Sequence, residues 1–386
     1  MKKPILVFYL LALIAMSVPT SVRAQQPPTD QIRLINFELD SSSPDVYRFD
    51  VYLDGSQIYS AYNMEIIFPE GINVALNKKN NPRVTMLKEG FYPEEDDEYS
   101  HTVSALLPSE HLLRVACLSS LNEQFEYASG YLFRVYVTLN QETLSSSFSP
   151  TPIVKVSGIA LVEADGTKHV PADFSCRPFT TGIPAERELP FNISSTNKVG
   201  TLILPFNAAL PAGVQAFTCS TVNTTEQTIN LEEANSFVAC KPYIVYAENG
   251  FSGTLSGTVD LSANYPDEDV YTEEEGLLTG VLTTTVVNTG YIMQNQGDGP
   301  AFYSADGENF SLPAGRCYMT LPSSGIKMFS LNFDSKEETM KIDSLSKEER
   351  SEGEAESWYT LQGVKLDQKP TETGVYLNGT KKVFIP

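Results

Sequence analysis

Apolar and polar residues alternate with a period of two through most of this chain. In VYRFDVYLD (46–54), Tyr47, Phe49, Val51 and Leu53 alternate with Arg48, Asp50 and Tyr52, the pattern of a strand with one buried face. SAYNMEIIFPEGI (60–72) sets Tyr62, Met64, Ile66 and Phe68 against Asn63 and Glu65, and Pro69-Glu70-Gly71 ends the run as a turn. Alternation resumes in HLLRVACLSS (111–120), GYLFRVYVTL (130–139) and IVKVSGIALV (153–162), after which Asp165-Gly166 supplies a tight hairpin turn. Residues 77–101 are turn-rich and acidic, with EEDDE at 94–98, and predict a long surface loop holding at most one short strand. With no amphipathic helix longer than about three turns, the pattern predicts an all-β sandwich.

The boundaries follow from breaks in this pattern. A polar lead-in with Pro27-Pro28 precedes a first sandwich over 31–182, and CRPFTTGIP (176–184) reads as its exit. GTLILPFNAALPAGVQAFT (200–218) opens a second all-β domain, 188–322, continuing through CKPYIVYAE, LLTGVLTTTVV and GRCYMTLP. Residues 323–356 read as an acidic linker: from Asp334 to Glu356 there are nine acids and four bases with little apolar material, too little to offset ordering entropy. Asp343-Ser344-Leu345 within it fits a short O-glycosylation signal. The last stretch, 357–386, predicts a hairpin tail: Tyr359 to Leu366 as one strand, Gly374 to Leu377 as a second, and Lys382 to Ile385 as a third after an Asn378-Gly379 turn.

The ends and the composition sharpen this picture. Lys2 and Lys3 precede the apolar run Ile5 to Met16, and Val22-Arg23-Ala24 offers small residues for cleavage after Ala24. These are the marks of a secretory signal peptide (1–24), since spanning a bilayer needs ~20 apolar residues. The formal charge is −21, and removing this segment takes away three basic residues and no acid, leaving −24. So negative a surface excludes nucleic acid as a partner. Export places the protein at the outer surface or in the medium, with the periplasm as the alternative. The five cysteines, an odd number, match no metal spacing and sit in apolar or strand-like contexts. They read as buried hydrophobes; if a bridge forms, Cys219 with Cys240 is the pair to test.

Catalytic chemistry finds no foothold. No G-x-S-x-G occurs, GFSGTLSG at 250–257 having the wrong spacing, and His101, His111 and His169 fall in separate segments without i, i+4 pairing. Carboxylates occur mainly as solvated runs, whereas glycoside hydrolysis needs two placed ~5 to 10 Å apart, one with a raised pKa. The reading is therefore of a non-enzyme without a cofactor. Glu94, Asp96 and Asp97 would bind calcium only if their loop folded inward. For glycan stacking the loop-proximal tyrosines Tyr59, Tyr92 and Tyr99 are the candidates, because Tyr62 alternates with Met64 and Ile66 and reads as core.

The order YRFDVYL, SAYNMEIIFPEGI, HTVSALLPSEHLLRVACLSS, SGYLFRVYVTL, VSGIALVEADGTKHVPADF resembles the cohesin-like, carbohydrate-binding-like sandwich modules on secreted proteins of Gram-negative anaerobic bacteria of the Bacteroidota type. The resemblance covers about residues 31–180. It implies a jelly-roll sandwich that binds a protein or a glycan at the cell surface and does no chemistry, through a sheet face or the 77–110 loop. A structural subunit of a surface assembly and a glycan-active hydrolase are the alternatives. The second domain is similar to an uncharacterised all-β module of the same bacteria and would be a spacer or a second interaction module. The tail is similar to C-terminal sorting units of the form Y-x-L-Q-G, G-[IV]-Y, N-G-x-K-V. The matching positions are Tyr359, Leu361, Gln362, Gly363, Gly374, Tyr376, Asn378, Gly379, Lys382 and Val383, with Thr380 inserted. That similarity implies contact with secretion or envelope machinery.

Overall fold

The computed structural model describes residues 29–88, 91–95, 98–179, 181–273, 277–297, 299–321 and 325–333, together with four short tail strands between 358 and 385. The signal peptide with Ala24, the Asp343-Ser344-Leu345 signal and the acidic stretch 334–356 lie outside the described residues.

The first unit comprises β1 (Gln31–Leu39), β2 (Val46–Asp54), β3 (Ala61–Ile67), β4 (Ile72–Val74), β5 (Val84–Met86), β6 (Glu94–Glu95), β7 (Glu98–Tyr99), β8 (His101–Ser109), β9 (Leu112–Ser119), β10 (Gly130–Leu139), α1 (Gln141–Ser145), β11 (Val154–Val162), β12 (Lys168–His169) and β13 (Phe174–Cys176). One sheet has the order β1-β2-β10-β4 with β5 also on β10, and the second the order β12-β11-β3-β9-β8 with β13 also on β11. Phe49 and Val51 of β2 and Val135 and Val137 of β10 face Met64, Ile66, Val115 and Val156 of the second sheet, all fully buried. This is the sandwich that alternation predicts, since each strand hands every second side chain to the core. The Asp165-Gly166 turn forms: Gly166 has φ +90° and Thr167 N donates to Asp165 Oδ1 at 2.8 Å.

Two departures follow from packing. The 77–101 stretch is not a mere surface loop, because β5 pairs with β10 and Phe91 and Tyr92 plug the core at 1% and 2% exposure. Gly130 makes room for this plug, as a Cβ there would stand 2.1 Å from the Phe91 ring. In β10 a bulge between Tyr131 and Phe133 breaks alternation, so both Leu132 and Phe133 are buried.

The second unit is built on a ten-stranded sheet. Its spatial order is Val199–Leu202, Tyr243–Tyr246, Gln215–Asn223, Thr228–Ala234, Met328–Phe333, Pro300–Ser304, Tyr291–Asn295, Arg316–Met319, Leu278–Val281 and Val270–Thr272. Met328–Phe333 pairs parallel with Thr228–Ala234, so strand structure runs past Pro322 into what composition reads as linker. Phe329 is fully buried, which explains why the segment docks. A two-stranded antiparallel sheet of Glu186–Ile193 and Phe251–Thr258 contributes Leu189, Phe191 and Leu255 to a further core. The sheet rolls until its first strand meets Arg316–Met319, with Ile203 N donating to Gly315 O at 3.0 Å and Cys317 N to Thr201 Oγ1 at 3.0 Å.

A buried polar junction joins the two units. Arg177, just after β13, forms an ion pair with the fully buried Asp269 and donates to Pro266 O (Nη2, 2.6 Å) and Thr151 O. Arg187, 1% exposed, donates to Pro150 O at 3.0 Å, and burial holds its pKa down at about 10. The ion pair offsets part of the cost of burying these charges, while Arg187 Nε and Nη1 and Asp269 Oδ2 make no hydrogen bond among the described residues.

The tail strands are Trp358–Thr360, Lys365–Leu366, Gly374–Asn378 and Lys381–Ile385. The single strand expected over 359–366 is instead a hairpin, Tyr359 lying opposite Lys365, and Trp358 pairs with both Leu366 and Asn378. Gly374–Asn378 and Lys381–Ile385 pair antiparallel with Asn378 opposite Lys381. Tyr359, Gly374, Tyr376, Asn378, Lys382 and Val383 fall on these strands; Leu361, Gln362, Gly363 and Gly379 lie outside the described residues.

Candidate binding face

The two sheets of the first unit present outer faces of opposite character. On β3, β8, β9 and β11, alternation sends Asn63, Glu65, Ile67, Thr102, Ser104, Leu106, Arg114, Ala116, Leu118, Lys155 and Ser157 away from the core. Register arranges them in rows across the strands. Val162, Ala61, Leu118 and Thr102 form one row; Ala160, Asn63, Ala116 and Ser104 the next; Ser157, Glu65, Arg114 and Leu106 the third; Lys155, Ile67 and Leu112 the fourth. The second row is made of small side chains. It forms a shallow trough between Leu118 at 67% exposure and Leu106 at 63%, roughly 13 Å apart along the strands at ~3.4 Å per residue. One ion pair crosses the face, Arg114 Nε to Glu65 Oε1 at 3.0 Å. Ile67 extends the apolar surface at 37% exposure. Large side chains flanking a trough of small ones, left in water, are what a protein surface uses to seat a complementary surface.

The outer face of the β1-β2-β10 sheet makes most of its contacts within itself, although Tyr131 stays 39% exposed. Arg134 grips Asp50 through Nε–Oδ1 (2.6 Å) and Nη2–Oδ2 (3.0 Å), and Asn36 adds a bond to Asp50 Oδ2 at 3.0 Å. The Arg33 guanidinium stands 5.0 Å above the Tyr52 ring, which meets Tyr131 edge-on at 5.2 Å. Arg83 lies 3.8 Å above Tyr136 and bonds Asp40 at 2.9 Å. The tyrosines of this face are those a glycan reading should have chosen: Tyr52 lies in the polar phase of VYRFDVYLD, a signal present in the sequence. Cations cover the Tyr52 and Tyr136 rings, however, leaving those faces closed to a pyranose.

The candidate tyrosines lie elsewhere. Tyr59 and Tyr92 are buried at 0% and 2% exposure, and the expectation that they form an exposed stacking platform is corrected. Tyr92 Oη donates to Leu132 O at 2.6 Å and lies 2.9 Å from Tyr62 Oη. The phenol is thus carried inward by a polar relay, and burial pushes both pKa values well above the ordinary phenol range. Tyr62 is core, as its phase predicts. Tyr99 is partly buried against the same core, with Lys88 Nζ 4.6 Å from its ring.

Glu94 lies on β6, paired with β7, while Asp96 and Asp97 lie outside the described residues. Among the described residues no group of three metal-ligating side chains converges. His101 is buried at 3% exposure, its Nε2 3.2 Å from Ser60 O, and desolvation lowers its pKa. His169 Nε2 lies 2.6 Å from Glu163 Oε1. All five cysteines are free, which corrects the Cys219–Cys240 pairing. Cys219 stands opposite Leu231 inside the core, whereas Cys240 occupies a turn held by its N–H on Leu204 O at 2.7 Å. Burial pushes the thiols of Cys240 to about 11 and of Cys317 to about 12, away from reactive thiolate.

No family model matches the chain, and no curated protein matches it. Among solved structures it is similar to a non-cellulosomal cohesin from the hyperthermophilic archaeon Archaeoglobus fulgidus, at 14% identity and TM-score 0.28, covering 39% of this chain and 92% of that one. It is similar to the type II cohesin dyad from the adaptor ScaA scaffoldin of Acetivibrio cellulolyticus, at 9% identity and TM-score 0.27, covering 75% and 99%. The full-length major pilin SpaD from Corynebacterium diphtheriae matches at 10% identity and TM-score 0.25, covering 64% and 59%. Likeness at this level assigns the chain to no family.

Proposed function

We propose that this is an exported, non-enzymatic binding protein that holds a protein partner on the outer face of β11, β3, β9 and β8. The observation carrying this reading is the contrast in satisfaction: this face leaves Leu106, Leu118 and Ile67 in water around a trough of Ala116, Ser104 and Asn63, whereas the opposite face neutralises itself. A protein surface covers such a trough with complementary apolar groups, while a sugar needs open aromatic rings, which this face lacks. The resemblance of 31–180 to cohesin-like modules supports the same reading. The second unit acts as a rigid spacer, fastened to the first by Arg177 and Asp269, and the tail serves as an address for secretion or envelope machinery.

The test is an array of purified surface proteins and polysaccharides probed with the mature chain and with an L106D/L118D variant of unchanged melting temperature. Saturable binding to a protein that the variant loses supports the reading. Retention on a polysaccharide, or protein binding indifferent to both substitutions, overturns it. Deleting 357–386 is expected to abolish surface display, and display unaffected by the deletion would remove the address role of the tail.

A further inference from the structure

The second unit carries a pocket of about 360 Å³ where its sheet rolls closed, lined among others by Asn197, Thr201, Gln294, Phe310, Ser311 and Arg316. Its volume lies within the ~300 to 1,000 Å³ of small-molecule sites. Its rim is held by Asn295 Nδ2 on Asn197 Oδ1 at 2.9 Å. Thr201 fixes the floor, accepting Arg316 Nη1 on its carbonyl at 2.9 Å and Cys317 N on its hydroxyl at 3.0 Å.

Arg316 is unusual for this protein. Eight arginines lie among the described residues. Arg33, Arg48, Arg83, Arg114, Arg134 and Arg177 each pair with an Asp or Glu. Arg187 has no such partner but is 1% exposed and closed off. Arg316 is half-buried and reaches the pocket, and no other charged side chain lines it. Among the described residues, its Nε and Nη2 make no hydrogen bond. In a chain with 48 acids and 27 basic residues, a cation kept clear of carboxylates is a cation left for one from outside. Its position is set, because Nη1 is already tied to Thr201, so the remaining edge of the guanidinium presents two donors in a fixed plane. That fork matches a carboxylate bidentately. Ser311 and Gln294 add neutral polar groups beside it, and Phe310 with Ile292 and Leu312 provides an apolar wall for the body of the ligand.

We propose that this pocket binds a carboxylate carried on a compact ligand, with the Arg316 guanidinium as its anchor. Two sources have this chemistry, an acidic sugar and a free peptide C-terminus. The site is separate from the protein-binding face of the first unit, and either assignment can fail without the other.

The experiment is calorimetric titration of the full mature chain with sodium glucuronate, with N-acetyl-alanyl-alanine and with methyl glucoside as the neutral control. Saturable heat from either carboxylate and none from the neutral sugar is expected, and whichever carboxylate binds identifies the source. R316Q should weaken that binding at least ~10-fold. S311W, which adds bulk to the pocket lining and leaves the arginine itself unchanged, should abolish it, so the proposal stays testable if R316Q does not fold. No saturation by either carboxylate up to about 10 mM, a range that reaches weak single-anchor affinities, overturns the proposal. So does equal binding of methyl glucoside, or binding undiminished in S311W.

Discussion

The two outer faces of the first sandwich arise from the same alternation, yet one is finished and the other is not. On the β1-β2-β10 face, Asp50 is 3% exposed although it points outward, because Arg134 and Asn36 close over it. On the β11-β3-β9-β8 face, Leu106 and Leu118 point outward with nothing over them. Polar groups that satisfy one another within a face contribute to stability and offer little to a partner. Apolar groups left in water do the reverse, and on the proposed function stability falls to one face and recognition to the other.

The sharpest way to break this comparison is to remove one guanidinium from each face. R134M leaves the buried Asp50 carboxylate without its bidentate partner and should cost ~3 kcal/mol or more in urea unfolding. R114M removes an ion pair whose arginine is about half exposed and should cost less than ~1 kcal/mol. Equal losses would erase the distinction. The reverse contrast applies to recognition: L106D/L118D should weaken partner binding at least ~10-fold, about 1.4 kcal/mol, with unfolding free energy changed by no more than ~0.5 kcal/mol. Y131A on the other face should leave binding intact.

Smaller effects probe the core between the faces. Y92F removes the hydroxyl linking Tyr62 to Leu132 O and should cost ~1 kcal/mol, read by thermal unfolding. The smallest effect concerns His101 at the start of β8, packed on Phe125 with ring centroids 4.9 Å apart. Burial holds its pKa below the ordinary 6.5, against the weaker opposing pull of Ser60 O and Glu123. The unfolded chain therefore takes up this proton first. Its contribution to stability is present above pH 6.5 and falls as pH drops below that value. H101F should flatten this part of the stability profile between pH 7 and 5, and a slope unchanged from the parent would show that other groups carry it.

Much of the first unit could be read directly. The phases of β2, β3 and β9 were legible because each strand turns alternate apolar residues to the core, and Tyr62 fell correctly into it. Tyr59 and Tyr92 were misread because their neighbours are loop-like in sequence, while the residues that enclose them are distant: Leu132 receives the Tyr92 hydroxyl from 40 positions away. Asp50 was invisible for the same reason, its arginine lying 84 residues on. The strand at Met328–Phe333 was hidden by the acids that follow it, although its register partner begins at Thr228.

By itself, the sequence determined that this is a β protein, where several long strands of the first unit run and which side of each is apolar, since period-two alternation is local and follows from backbone geometry alone. The tertiary structure decided which outward-facing residues are finished and which are open. That choice depends on pairs brought together from far apart in the chain, as with Asp50 and Arg134, and on the absence of any such pair at Leu118 and Arg316 among the described residues. Only the folded register makes it.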